Sequence, residues 1–326
     1  MKNQIYEIFG FKPDDNSKLA IKYKKNCICP FTEVLCDGGG NRYQTFIKPI
    51  TLKSTTLEKY FNKSIKLIPP GICSIKTNDD IWIVCPRRVF SISDVKSNSQ
   101  LRHFSNGILS KYFNLLNNKV GIWSEVKVKY HESAEDENID DEKSFDYTFD
   151  FIICSVGPKK LSTISEEIGV SVNKIEKKLI VNGYTLAMRD GEKYLEEYPL
   201  GVPHIIEVMT SSTSGGNKEK ETTIQDSFKK AILNGKHESP GINYRQVWAR
   251  MVSQLIVKSQ IGKQWGGSTL WILQDSLTKY ISRTTDLNLN KLISSVMNEV
   301  NILSVKLIED QDDLGCYKIV ENALYV

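Results

Sequence analysis

No run of eighteen apolar residues occurs in this sequence, so no segment is predicted to cross a membrane as a helix. Its opening stretch, MKNQIYEIFGFKPDDNSK, carries charges where a secretory signal would place its apolar segment, which points to a cytoplasmic protein. Net charge is scarce as well. The 43 Lys and Arg against 39 Asp and Glu leave only +4, so affinity for a polyanion must come from clustering of the bases rather than from their total. Internal repeats and low-complexity blocks are missing, which excludes repeat arrays. Cysteine is rare beyond residue 85: of seven, only Cys154 and Cys316 lie there, and both read as ordinary buried thiols.

What is present is an ordinary globular composition. The 326 residues are enough for one large domain or two smaller ones, and 40% apolar content can bury a substantial core. Acids pile up in HESAEDENIDDEK, a predicted solvated loop, while bases gather in KLAIKYKKN, CPRR and NKIEKK.

Residues 1–95 alternate short strand-like runs with Gly-rich and Pro-rich turns and read as a loop-rich module, with residues 96–326 as a second domain. In SQLRHFSNGILSKYFNLLNN the apolar residues fall at helical spacing. Three strands are expected next, in VGIWSEVKVKY, FDYTFDFIICSV and VPHIIEVMT. A long amphipathic helix follows in INYRQVWARMVSQLIVKSQIGKQW, then a fourth strand in GGSTLWILQDSLTKYI, a further helix and a C-terminal hairpin. Helix, three strands, helix, strand is the order of an α/β core with a mixed sheet.

Five cysteines within the first 85 residues suit metal ligation better than disulfides in a reducing compartment. Cys29, Cys36, Cys73 and Cys85 can supply four thiolates to a tetrahedral ion, iron or zinc. Two of them adjoin the turns PPGICS and VCPRR that a chelating knuckle requires. Cys27 competes with Cys29 for a place, and the alternative is that all are small buried hydrophobes. Asp150 in TFDFIICS, Glu207 in IIEVMT and Glu125 in WSEVKV are isolated acids in successive apolar strands. Each needs a partner, either a divalent cation or a Lys or Arg on a neighbouring element. Asp146 shares the strand periodicity of Asp150 and is an alternative ligand.

Between the second and third strands, residues 157–200 form a long connection. Ile164, Ser165, Ile168, Gly169, Val170 and Ile175 fit the apolar, small and turn positions of a helix-turn-helix. Its second helix would start near Ser171 and expose Asn173, Lys174, Lys177 and Lys178, residue types suited to base edges and phosphates. A plain helical hairpin for packing or dimerisation is the other reading. The stretch YTLAMRDGEKYLEEY is predicted to form a wing-like hairpin.

Taken in order, EIFGF, CPF, Cys36, GICS, CPRR, FDF and IEVMT resemble the NotI group of restriction endonucleases. That resemblance implies a four-cysteine iron module joined to a PD-(D/E)xK nuclease core, which cuts palindromic duplex DNA with magnesium as a homodimer. It assigns Cys29, Cys36, Cys73 and Cys85 to the structural metal and Asp150 and Glu207 to Mg2+; Glu125, from the strand pattern, is expected to assist as an outer ligand. Thr210 also fits the signature. Arg87 and Arg88, with the lysines of the helix-turn-helix, are expected at DNA. The departure is Met209, which stands at the third catalytic position, where relatives carry Gln and most such nucleases Lys; a thioether donates no hydrogen bond. Gln254 or Lys258, one turn apart on the long helix, is one expected substitute; the other reading is that the metal alone positions the water. The implied function is a type II restriction endonuclease; the alternative is a non-cleaving, sequence-specific DNA-binding protein with a degenerate core.

Overall fold

The computed structural model describes residues 3–38, 60–65, 67–78, 80–91, 99–115, 119–130, 145–213, 216–234, 236–309 and 317–326. The acidic stretch 131–143, Cys316 and the side chain of Asp146 lie outside what is described. The chain divides into two compact units. Unit 1 comprises Met1–Ile108, Glu207–Ile256 and Leu270–Val326, and unit 2 comprises Leu109–Ile206 and Val257–Thr269.

In unit 1, β1 (Gln4–Ile8), β2 (Ile72–Lys76) and β3 (Ile81–Ile83) form an antiparallel sheet in the order β1-β2-β3. Helix α1 (Lys18–Asn26) starts where Ser17 Oγ accepts the Ala20 N–H at 3.2 Å and stops at Cys27, whose left-handed backbone (φ 52°) ends the helical ladder. Three strands this short have little apolar surface of their own. Ile5, Ile8, Phe9, Ile72, Ile75 and Val84 are therefore covered by Ile224, Phe228, Ala231 and Ile232 of a later helix, α5 (Ile224–Asn234). The division expected at residue 95 accordingly does not separate two compact units.

Unit 1 also holds β9 (Thr269–Gln274) from Leu270 onward, α7 (Asp275–Thr285) and the antiparallel hairpin β10 (Val300–Glu309) and β11 (Tyr317–Tyr325). The stretch expected as one strand, GGSTLWILQDSLTKYI, splits at Gln274. The residues of β9 are all buried, whereas Asp275, Leu277, Thr278 and Ile281 are the buried positions of a helix, and Asp275 sits in its first turn, where a carboxylate suits the helix dipole.

In unit 2, β4 (Val120–Tyr130), β5 (Phe145–Lys160) and, as far as Ile206, β8 (His204–Val208) pair antiparallel, with Val126↔Phe149, Ser124↔Phe151 and Phe151↔Ile206 among the rungs. Strand β8 runs parallel to β9. The N–H of Ile205 reaches the Ser268 carbonyl at 3.0 Å and that of Met209 the Ile272 carbonyl at 2.9 Å, so the register advances in the same sense on both strands. The sheet is therefore mixed and the protein α/β, with α2 (Ser99–Phe113) before β4 and α6 (Tyr244–Gln264) between β8 and β9. After β5 come α3 (Leu161–Ile168), α4 (Val172–Val181), β6 (Leu186–Arg189) and β7 (Glu192–Pro199), the last pairing with the end of β5. Among the described residues no helix is long and apolar enough to cross a membrane.

Candidate functional site

Two of the expected acids, Glu125 and Asp150, occupy matching levels of adjacent strands of unit 2. Glu125 and Asp150 fall between the rungs Ser124↔Phe151 and Val126↔Phe149, opposite one another on β4 and β5. Asp150 precedes Phe151, whose partner is Ile206, and Glu207 directly follows Ile206 on β8. Glu125 is half-buried and has φ 56°, a left-handed conformation inside a strand. For a residue other than glycine this costs about 1–3 kcal/mol and is typical of sites where geometry serves chemistry. Glu207 is buried, at 2% exposure.

Met209 is not a polar participant. It is 4% exposed and packs with Trp82, Val247, Met251, Trp271 and Leu273 in an apolar core, so its assignment among catalytic residues is corrected to a packing role. Of the expected substitutes, Gln254 is half-buried, while Lys258 is 4% exposed. The Lys258 ammonium lies 5.5 Å from the centroid of the Phe149 ring, within reach of a cation–π attraction, and Phe149 is the neighbour of Asp150 on β5. Glu125, Asp150 and Lys258 all belong to unit 2.

All four expected thiols belong to unit 1. Cys29 and Cys36 flank a tight loop, closed by Cys29 N–H to the Val34 carbonyl (2.8 Å), Glu33 N–H to the Cys29 carbonyl (2.9 Å) and Cys36 N–H to the Cys27 carbonyl (2.8 Å). Cys73 on β2 and Cys85 after β3 are joined by the Cys85 N–H on the Cys73 carbonyl at 3.2 Å. Cys73 Sγ accepts the Gly10 N–H at 3.2 Å, and Cys36 Sγ the Gly38 N–H at 3.4 Å. Gly10 has φ 73°, and a Cβ there would lie 2.5 Å from Pro30, so the donor that reaches Cys73 depends on glycine.

Burial pushes the Cys36 and Cys73 thiols well up, and negative charge on Cys85 and Cys29 pushes in the same direction. Burial, then Cys29, pushes Cys85 up to about 12, against the pull of Arg87 and its N–H. Charge on these thiols is thus mutually unfavourable, which a bound cation would offset. Among the described residues no group of three or more His, Cys, Asp or Glu side chains is already set to hold a metal ion. Cys27, whose carbonyl accepts the Cys36 N–H, belongs to the apolar core. It lies fully buried among Ile8, Phe9, Ile68 and Ile72, and burial alone pushes its thiol up to about 12.

The two arginines expected at DNA are turned to other uses. Arg88, at 3% exposure, donates through Nε to both oxygens of fully buried Glu7 (3.0 and 3.1 Å), and its guanidinium stacks 3.8 Å from the Tyr317 ring centroid. Arg87 makes a bidentate pair with Asp37, both bonds 2.9 Å. Burial disfavours the Arg87 charge, but Cys85 and Asp37 outweigh it and raise its pKa. Arg87 thus ties the segment after Cys85 to Asp37 beside Cys36, and Arg88, expected at DNA, is buried against Glu7. The acidic partners Glu7 and Asp37 gave no signal in the sequence beyond their proximity to Gly10 and Cys36. Asn173, Lys174, Lys177 and Lys178 are all exposed on α4, as expected. Comparison with known protein families and with curated proteins finds no match for this chain.

Proposed function

We propose that this protein is a magnesium-dependent, site-specific deoxyribonuclease of the type II restriction class, with a PD-(D/E)xK core and a structural four-cysteine metal site. The observation that carries the reading is the placement of Glu125 opposite Asp150, with the chain held left-handed at Glu125. The element order α2, β4, β5, β8, α6, β9, with an antiparallel trio followed by a parallel strand, supports it.

Carboxylate oxygens suit a hard cation, so the donor set fits Mg2+. Asp150 and Glu207 would hold the ion, and Glu125 would assist from β4. When bound, the cation would polarise a phosphodiester and acidify a water for in-line displacement of the 3′ oxygen. We assign to Lys258 the task of orienting the water or the scissile phosphate, which Met209 cannot perform. Cys29, Cys36, Cys73 and Cys85 would take iron or zinc as a staple for a sheet with a small core of its own. Cutting both strands of a palindrome requires two active sites, hence a homodimer.

The burial of Met209 in an apolar core favours one rival, a DNA-binding protein whose nuclease core has lost activity. The test is incubation of mixed-sequence DNA with the protein and Mg2+ or Mn2+. Wild type should cut, and Asp150→Asn, Glu207→Gln and Lys258→Met should each retain binding while losing cutting. If wild type retards DNA in a gel and leaves it intact, the rival reading takes its place.

A further inference from the structure

Between β5 and β8 the chain builds a small structure with its own core. Leu161 and Ile164 of α3, Ile175 of α4 and Leu195 of β7 are buried together, with Val170, Val172, Leu179, Tyr184 and Leu186 around them. The turn between the helices is tightly specified. Gly169 is left-handed (φ 64°), Ser165 Oγ donates to the Val170 carbonyl at 2.6 Å, and the N–H groups of Lys174 and Ile175 reach the Ser171 carbonyl at 3.0 and 3.1 Å. Strands β6 and β7 then pair in register, Arg189↔Glu192, around a two-residue turn in which Asp190 and Gly191 both have positive φ. Helix, glycine turn, helix and hairpin is the arrangement of a winged helix-turn-helix.

The charges of this segment are divided by pairing. Residues 157–200 contain seven bases and seven acids. Four of the bases are tied to glutamates: Lys159 to Glu167 at 2.6 Å, Lys160 to Glu192 at 2.7 Å, Arg189 to Glu196 at 2.6 Å and Lys193 to Glu176 at 2.5 Å. The other three, Lys174, Lys177 and Lys178, are exposed and have no ion-pair partner among the described residues. They recur at i, i+3 and i+4 spacing, so they form one exposed row on α4 beside Asn173 in its first turn. The strands β6 and β7 with their turn carry two bases against four acids, whereas α4 carries three lysines against Glu176, which Lys193 takes up.

We propose that α3–α4–β6–β7 is a winged helix-turn-helix that binds duplex DNA, with α4 in the major groove, its three lysines on phosphates and Asn173 on a base edge. Phosphate contacts of this kind release counterions and set the salt dependence, whereas an amide at the start of the recognition helix suits the paired donor and acceptor of adenine. The inference adds a second DNA contact to the nuclease reading and stands independently of whether the core cuts.

The test is binding of the full chain to fluorescent duplex DNA in EDTA, which removes cleavage from the measurement. It compares wild type with the triple variant Lys174→Ala, Lys177→Ala, Lys178→Ala and with Lys218→Ala, Lys220→Ala as a charge control. Three lost phosphate contacts reduce the slope of log affinity against log salt by about 2.7. From 0.1 to 0.5 M KCl, wild type should therefore lose about 80-fold more affinity than the triple variant, and the control should follow wild type. Asn173→Ala should reduce discrimination for the preferred duplex over mixed sequence by about 5- to 150-fold. Equal slopes for wild type and a folded triple variant would overturn the proposal. So would loss of dimer with an unchanged slope, the outcome if α4, with Ile180 and Val181 exposed at its far end, instead meets a second copy of the chain. A slope difference without any cutting would uphold this inference while removing the nuclease reading.

Discussion

Replacing Glu7 by Gln should destabilise the protein far more than an ordinary buried substitution, because it removes one charge of a pair that has no access to water. Glu7 is fully buried and Arg88 is 3% exposed. The carboxylate accepts two bonds from Arg88 Nε and a third, at 2.7 Å, from Ser74 Oγ on the paired strand. Glutamine keeps the shape but leaves the guanidinium without its countercharge, and breaking a buried pair in this way costs about 3–5 kcal/mol. Against a total stability of about 5–15 kcal/mol this is a large fraction, and it should lower the urea midpoint by about 1–2 M. Removing both charges, in Glu7→Gln with Arg88→Met, should cost much less than the sum of the single variants, since no buried charge is then left unpaired. Because Ser74 and Arg88 lie beside Cys73 and Cys85, the single variant should also hold the thiol site less firmly. Urea unfolding followed by far-UV circular dichroism measures the cycle. A single variant within 1 kcal/mol of wild type, or a double variant as costly as the summed singles, would refute the reasoning.

Three further outcomes follow from the same contacts. The protein as purified should carry iron or zinc by elemental analysis, Cys85→Ser should lose it and Cys27→Ser should keep it; metal-free wild type, or metal retained in Cys85→Ser, contradicts the staple. Gly169→Ala should destabilise the α3–α4 segment by about 1–2 kcal/mol, because its φ of 64° is disfavoured for any residue with a Cβ, and hydrogen exchange across 161–181 should report it. His204 Nδ1 accepts the Ser268 N–H at 3.1 Å, and burial holds the imidazole below its ordinary pKa, so the unfolded chain takes up the proton first. Stability should be full above about pH 6.5 and fall as pH drops through that value towards the lower folded pKa, and His204→Asn should flatten that fall.

Much of this architecture was legible because local pattern and tertiary demand agree. Helical spacing around Leu101 and Ile108, alternation in FDYTFDF and the position of Gly169 after Ile168 each specify their elements without help from distant residues. The strand–helix junction at Gln274 was missed because four consecutive buried apolar residues lead straight into a helix whose period begins only at Leu277. Nothing in residues 1–95 signals that α5, more than a hundred residues later, completes the core of the first sheet. At the site, Asp150 and Glu207 stood out as acids in apolar runs, but the left-handed backbone of Glu125 leaves no trace in composition. Nor does CPRR tell a phosphate-binding arginine from Arg88, which is held by Glu7 at the other end of the module.

The most direct test of a paired-carboxylate nuclease is sequencing of fragment ends after genomic DNA is digested by wild-type protein with Mg2+ and, in parallel, by Asp150→Asn. The account predicts wild-type ends at one short palindrome with a constant stagger and none from the variant. Uncut DNA in both reactions, or identical cutting by both, would contradict it.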